Sequence, residues 1–571
     1  MSFAHFAAVL AHRAAVQPDF EGYVFLDELG NPVDRWSYAR LQRAASTLAG
    51  RLQERTRPGD RAVIVHQPGP GFIVAFLACA WAGLTAVPVY PPAARNADAL
   101  ATFVRIVENC DAAVLLSDAI TAQKLREPSE TEPALRARTW LKVELDDGAP
   151  GAPPRARAEV PALLQYTSGT TGMPKGVVVS HRNLLHNSAQ IARRFGHTHD
   201  SRGVIWLPPF HDMGLIGGIL QPLYAGFQVV LMTPTAFLKR PLTWLRAVSR
   251  FRATTSGGPN FAYRLVTQRA SEADLAELDL SSWSVAFNGA EPVDHHVLQQ
   301  FSAKFARSGF KRSAWFVCYG LAESTLMVTG PPQSTFPTLR TTPEDTAPGD
   351  GMRDEFRHAV SCGSPADGIE VALVRRDGTR TRSEREVGEI WIRGESVAGG
   401  YWNRPHESAA TFGNTLEGEG PFLCTGDLGF FEGGELFVCG RTSTLIIVRG
   451  KNFQAHDLEL AASSADPAFV LEGAAAFLAE GDGEPRLIIV QEVQRTAARA
   501  LDAARAREAV ARAIGEQFGI AVSEVAFVRQ RAIPRTSSGK LRRGACKALY
   551  LAGSLPGLTD DPAPDTVAAA G

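Results

Sequence analysis

"QYTSGTTGMPKGVVVSH", residues 165–181, sets hydroxyls and glycines around a single lysine, Lys175. Glycine permits close backbone approach, and successive N–H groups in such turns form nests that hold anions. The Ser and Thr hydroxyls add donors, and Lys175 adds a point charge. The combination points to phosphate. It is not a Walker A loop, because Pro174 precedes Lys175 and Gly176 follows it, against the pattern G-x-x-x-x-G-K-S/T. The plain alternative is a polar surface turn that leads into the strand "GVVVSH".

Around this stretch, short apolar runs recur: "RAVIVHQ", "TAVPVY", "AAVLLSD", "GVIWLP", "QVVLMT", "SVAFNG" and "AWFVCYG". Helical patterns lie between many of them, as after His181 and after Leu238. This alternation predicts α/β layers with buried, largely parallel sheets. From about Gly363 the texture becomes β-rich ("GIEVALVRRDGT", "GEIWIRG", "GELFVCG"). A smaller α/β unit follows, with "GAAAFLAE", "PRLIIVQEV", a helix from about Arg499 to Phe518, and "VAFVRQ". The Pro/Ala/Asp-rich tail, 556–571, is expected to be disordered. No repeat of solenoid period is present.

At 571 residues the chain is too long for one core. Its 59 basic and 60 acidic residues leave a net charge of −1, which favours neither nucleic acid nor an anionic membrane as partner. Seven scattered cysteines without a C-x-x-C pair read as reduced core thiols. No export signal is apparent at the N-terminus, so a cytoplasmic location is expected. Residues Gln67 to Ala94 carry no charge, which raises the question of a membrane span. Gly83 and Pro88 divide that run, so a buried helix followed by a strand explains it better.

Five further stretches carry chemistry. "WLPPFHDMGLIGG" (206–218) places His211 and Asp212 between an apolar strand and a glycine-rich helix entry. "FNGAEP" (287–292) and "CYGLAEST" (318–325) end strands with small residues that let backbone press against a flat ring. The second adds Tyr319 and a lone carboxylate, Glu323. "CTGDLG" (424–429) is expected to hold Asp427 in a tight turn, and "IPRTSSGKLRR" (533–543) carries Lys540 on a Ser/Gly turn. Strand ends of an open α/β sheet are where ligands bind, so these stretches can share one crevice. Singly each has an ordinary explanation: Glu323 as a helix cap, Asp427 in an Asx-turn, His211 in the core, Lys540 in solvent.

Together, "YTSGTTGMPKGVVVSH", "YGLAEST", "TGDLG", "GRTSTLIIVRGKN" and "PRTSSGKLRR" resemble the adenylate-forming enzymes. These include acyl-CoA synthetases, peptide-synthetase adenylation domains and luciferases. The resemblance implies a large N-terminal domain (1–440) of doubly wound α/β subdomains, its β-rich part at about 363–440. It also implies a small mobile α/β C-terminal domain (441–555). "WLPPFHDMGLIGGILQPLYAG", "SGGPNFAYRL", "NGAEPV" and "YGLAES" resemble, more narrowly, the fatty acyl-AMP ligases. Many CoA ligases have Thr at the position of Ala322.

That resemblance implies attack of a fatty-acid carboxylate on ATP with loss of pyrophosphate, then acyl transfer to a holo acyl carrier protein of a polyketide or peptide synthase. Thr167, Ser168, Gly169, Thr170, Thr171, Gly172 and Lys175 would wrap the pyrophosphate, and Glu323 would hold Mg²⁺. Gly289, Ala290, Glu291, Tyr319 and Gly320 would border adenine, Asp427 and Arg441 the ribose. Lys540 would reach the α-phosphate. His211, Asp212, Gly214, Leu215, Ile216, Asn260 and Phe261 would form the acyl pocket. Thr444 stands where relatives usually have an acidic hinge residue, and Ala455 where they have proline. Rivals are a CoA ligase and a non-catalytic acyl or nucleotide sensor; the sensor predicts loss of Glu323, Asp427 or Lys540, and all three are present. The 39 positions between Glu323 and Gly363 suggest a loop insertion, anchored by Phe336, Leu339, Met352 and Phe356, that disfavours CoA.

Overall fold

β-branched runs too apolar to face water on either side form two parallel sheets flanked by helices. In the computed structural model one sheet runs Trp315–Val317, Val285–Asn288, Thr255–Gly257, Arg202–Ile205, Gln228–Leu231, Glu21–Leu26, Pro32–Ser37. Only its last pair is antiparallel. The other runs Thr139–Lys142, Ala112–Ser117, Arg61–Val65, Thr85–Pro88, Pro161–Thr167, Lys175–Ser180, and closes on an antiparallel pair. The structure describes residues 3–93, 96–146, 148–152, 157–167, 174–342, 358–448, 451–480, 485–535 and 540–558.

The uncharged run after Gln67 becomes the helix Pro70–Ala82, buried from Gly71 onward, and the strand Thr85–Pro88. Gly83 ends that helix at φ +73°, a conformation that glycine adopts without steric penalty. No helix among the described residues is long and apolar enough to cross a membrane. All seven cysteines are free thiols.

An antiparallel sheet follows, built from Ile369–Val374, Gly388–Gly394, Glu419–Glu432, Glu435–Arg441 and Asn414–Leu416. Here one expectation is corrected. Asp427 does not sit in a tight turn but inside the long strand Glu419–Glu432. Gly426 at φ +72° and slips in pairing on both sides bend the strand without ending it, as a bulge does.

A small C-terminal α/β unit has its own apolar cluster, from Ile446 to Val525, apart from the cluster spanning Phe6 to Leu436. Its three strands are Phe469–Ala479, Arg486–Val493 and Glu524–Arg529. The helix expected from Arg499 begins at Ala503, because Asp502 caps it by accepting from the Ala504 and Arg505 N–H groups at 3.1 Å each. Ala455 is the first residue of the helix Ala455–Ser463, where proline's fixed φ would fit but is not required. Of the insertion anchors, Phe336 lies under the Arg312 guanidinium at 3.5 Å, and Phe336 and Leu339 pack on the main cluster. Met352 and Phe356 lie outside the described residues, as does the expected tail from residue 559 on.

The helix entry after His211 is a π-helix, Met213–Leu220. Its wider turns bring backbone hard against the preceding loop: a Cβ on Gly214 would lie 1.9 Å from the Pro208 carbonyl oxygen, and one on Gly218 2.7 Å from Ile205 Cγ2. Gly214→Ala must therefore displace backbone, and we expect a loss of about 1–3 kcal/mol, typical of overpacking. A lower urea midpoint at unchanged m-value checks it; a wild-type midpoint would mean the turn is not set by this contact.

Candidate active site

The strand ends of the seven-stranded sheet, the hairpin Pro161–Ser180, the bulged strand around Gly426 and the loop of Lys540 meet at one cavity of about 430 Å³. Part of the wall is polar. Gly289, Ala290, Tyr319, Gly320, Glu323 and Arg441 border the cavity there, with Thr167, Lys175, His211, Asp212 and Lys540 beside them. These groups come from positions 167 to 540, and only tertiary structure brings them together.

Tyr319 and Arg441 are both held by Asp427, which is 3% exposed. Its Oδ2 accepts the Tyr319 hydroxyl at 2.7 Å, and its Oδ1 pairs with Arg441 Nε at 2.6 Å. Asp427 itself is absent from the cavity wall. Burial, with the Asp427 charge beside it, pushes the Tyr319 phenol well above its ordinary pKa. The Asp427 charge raises Arg441.

Glu323 sits on a 3₁₀ turn, Ala322–Ser324, followed by the strand Met327–Gly330. The helix-cap explanation therefore lacks its helix. Its Oε1 accepts the Tyr401 hydroxyl at 2.9 Å, and burial pushes its pKa up. Tyr401, which the sequence reading missed, also lies 4.9 Å beneath the Lys175 ammonium. Lys175 pairs with Glu407 at 2.6 Å. Thr167 and Lys175 are direct partners across the hairpin, so the two ends of the turn are held side by side; Ser168, Gly169, Thr170, Thr171 and Gly172 fall outside the described residues.

His211 Nδ1 lies 2.5 Å from Asp212 Oδ1. Burial works to raise Asp212, but the His211 charge and hydrogen bond, with Lys540 beyond, hold its pKa below the usual carboxylate value. Gln165 fixes this loop by donating to the Phe210 carbonyl at 2.9 Å.

The rest of the wall is largely apolar, with Ile191, Phe195, Gly203, Phe227 and Val229 lining it beside His197. Of the residues expected to form the acyl pocket, His211 and Asp212 line the cavity and the others do not. Leu215 and Ile216 are wholly buried in the core, and Gly214 faces the Pro208 carbonyl, because the π-helix turns Met213 and Gly217 to the cavity instead. Asn260 is consumed in holding its neighbours, donating to the Pro292 carbonyl at 2.7 Å and accepting from Asn288. Phe261 packs edge-on against Trp206, its centroid 5.8 Å away. Glu291 does not border the cavity either; it accepts the Asn260 N–H at 2.8 Å. The apolar cavity lining comes from the helix His181–Phe195 and the sheet face beside it. Its polar sequence hid it, although "IARRF" does place Ile191 and Phe195 four apart on one helix face.

At the junction, Thr444 Oγ1 lies 3.1 Å from Gln454 Oε1, which also accepts the Arg441 N–H at 3.3 Å. A hydroxyl can donate to that carbonyl where an ionised carboxylate could not.

Comparison with known proteins agrees with this geometry. JamA of Moorena producens, a medium-chain fatty acid acyl-carrier-protein ligase, is 37% identical over 96% of this chain and 95% of its own length. FadD32 of Mycolicibacterium smegmatis, a long-chain fatty acid AMP ligase, is 32% identical over 96% and 95%. The fatty acyl-adenylate ligase of L. pneumophila, solved with acyl adenylate and pyrophosphate, superposes with a TM-score of 0.73 at 35% identity, covering 97% of each chain. The fold is the adenylate-forming one, with a large N-terminal and a small C-terminal domain. A family model for AMP-binding enzymes matches residues 10–402, the span that supplies every cavity-lining group named above except Arg441 and Lys540, and the chain belongs to the AMP-binding enzyme family.

Proposed function

We propose that the protein adenylates a fatty acid with ATP and then passes the acyl group to the phosphopantetheine thiol of an acyl carrier protein. The observation that carries this reading is the mixed wall of one cavity, where Lys175, Tyr319, Glu323 and Lys540 share the lining with apolar Ile191, Phe195, Phe227 and Val229. The activities for which JamA and FadD32 are named support it.

On this reading the acyl tail fills the apolar part of the cavity and its carboxylate lies by His211 and Asp212. A carboxylate oxygen attacks the α-phosphorus and pyrophosphate departs, leaving acyl-adenylate. Lys540 offsets charge as it grows on the α-phosphate. Lys175 exchanges Glu407 for the pyrophosphate, aided by Thr167 and the turn 168–172. Tyr319, Gly320, Gly289 and Ala290 border the adenine. Asp427, behind the wall, positions Tyr319 and Arg441 through its two engaged oxygens, and Arg441 donates to the ribose. In the second step the thiol sulfur attacks the acyl carbonyl, a thioester forms and AMP leaves. We place the division between the domains at about Gly440, with 441–555 turning as a unit.

Mg²⁺ fits this site. Glu323 faces the cavity, and burial without a cation raises its pKa. Among the described residues no cluster of three His, Cys, Asp or Glu forms a cage. A single carboxylate with substrate phosphates is a common Mg²⁺ arrangement. When bound, the ion neutralises charge on the bridging phosphate oxygens.

Intact-mass detection of acyl-AMP across a fatty-acid ladder tests the reading, with its absence for every chain overturning it. Lys540→Ala is expected to slow pyrophosphate release by 10²–10³, about 3–4 kcal/mol, with ATP affinity retained in calorimetry. A wild-type rate would remove Lys540 from catalysis.

Glu323→Gln keeps the shape and drops the charge. Activity should fall at low Mg²⁺ and recover in part at high Mg²⁺. An unchanged Mg²⁺ titration would assign Glu323 a structural role.

Phe336 and Leu339 tie the insertion to the large domain. If that tie disfavours the CoA-using pose by about 3 kcal/mol, the pose stays below one percent. Acyl-AMP should then accumulate in the presence of CoA, and transfer should require a holo carrier protein. Deleting Ser334–Met352, which removes both anchors, should admit CoA ligation. Efficient acyl-CoA formation by the intact protein would favour the CoA ligase instead.

A further inference from the structure

Lys540 comes from the small C-terminal unit, yet it lines a cavity built by the large one. Something must hold the two in register. The strand Phe469–Ala479 leaves regular pairing at one place: from Phe469 to Ala474 it advances five residues while its partner moves two, from Val493 to Gln491. Within that bulge Glu472 adopts φ +57°, a left-handed conformation that is uncommon for residues other than glycine. The bulge is held from behind by Gln491, itself wholly buried, whose Nε2 donates to the Val470 carbonyl at 3.2 Å.

This distorted residue is gripped at both ends. Its carboxylate pairs with Arg264 of the large domain, on the helix Asn260–Arg269. Arg264 is only 14% exposed and also binds Asp294 at 3.0 Å, so its guanidinium is fixed before Glu472 meets it. The Glu472 backbone carbonyl accepts Arg535 Nη2 at 2.6 Å. Arg535 forms a backbone bridge with Leu541, the neighbour of Lys540. A continuous line thus runs from the large domain through Arg264, Glu472 and Arg535 to Lys540. The helix carrying Arg264 is tied to the cavity as well, since Asn260 N–H donates to Glu291, two residues from Gly289.

We propose that Glu472 is a positioning residue for adenylation: its bond to Arg264 locks the small domain in the pose that delivers Lys540. The inference rests on the function proposed above. A bond made in one domain arrangement raises that arrangement's population, and the apparent rate follows the competent fraction. The left-handed backbone turns the carboxylate outward to Arg264 while leaving the carbonyl for Arg535, so strain and function meet in one residue.

The test uses the full chain with Glu472→Gln and Glu472→Gly. The glycine variant removes the carboxylate and suits the left-handed backbone, so it does not destabilise through strain. In single-turnover assays both should form acyl-AMP roughly tenfold more slowly, with ATP affinity unchanged. Acyl transfer from preformed acyl-AMP should keep its wild-type rate. In a Lys540→Ala background the same substitutions should cost nothing further, because the latch acts only through Lys540. Wild-type adenylation rates in both variants, an equal loss in the Lys540→Ala background, or an equal loss in the transfer step would each overturn the latch while leaving the proposed function standing. Absence of acyl-AMP from the wild-type protein would overturn both.

Discussion

The Asp427 carboxylate is almost completely removed from water, and a buried charge survives only if its oxygens are satisfied. Both are, by the Tyr319 hydroxyl and the Arg441 guanidinium. This one group therefore joins the short strand Tyr319–Gly320, the bulged strand of the β-rich sheet and the junction to the small domain. Without it, Tyr319 would lose its orientation at the cavity wall and Arg441 its anchor. The bulge at Gly426 belongs to the same constraint, since it aims Asp427 inward from a strand that continues past it.

A second constraint is charge economy within the cavity. Each ionic group on its wall already has a companion: Lys175 has Glu407, Glu323 has the Tyr401 hydroxyl, and Asp212 has His211. A polyanionic substrate must exchange partners with these groups rather than meet bare charges. That arrangement tolerates the loss of ligand after each turnover. The apolar part of the wall, interrupted by His197, offers binding mainly through buried area, which fits a tail recognised by length and shape.

The junction combines rigidity and release. Gln454 ties Thr444 and Arg441 together through weak, neutral hydrogen bonds, whereas Arg264, Asp294 and Glu472 form a charged contact away from it. Neutral hydrogen bonds cost less to break than charge-assisted ones.

By itself the sequence determined the layers and most of the chemistry. Alternating β-branched runs and helical periods dictate parallel sheets, and the residue types of Lys175, Glu323, Tyr319, Arg441 and Lys540 announce phosphate, metal and sugar binding wherever they meet. Tertiary structure alone decided the rest. Phe261, Leu215 and Ile216 read as acyl-pocket residues because apolar side chains near a motif look alike, and Asn260 because it lies beside them. Packing put Leu215 and Ile216 in the core, Phe261 against its edge and Asn260 into backbone contacts, and left Ile191, Phe195 and Phe227 on the cavity wall. The π-helix and the bulges at Gly426 and Glu472 leave no local signature, since they arise from close approach between segments distant in the chain. Local propensity fixes which residues form an element, but which face meets the cavity depends on contacts that no window of sequence contains.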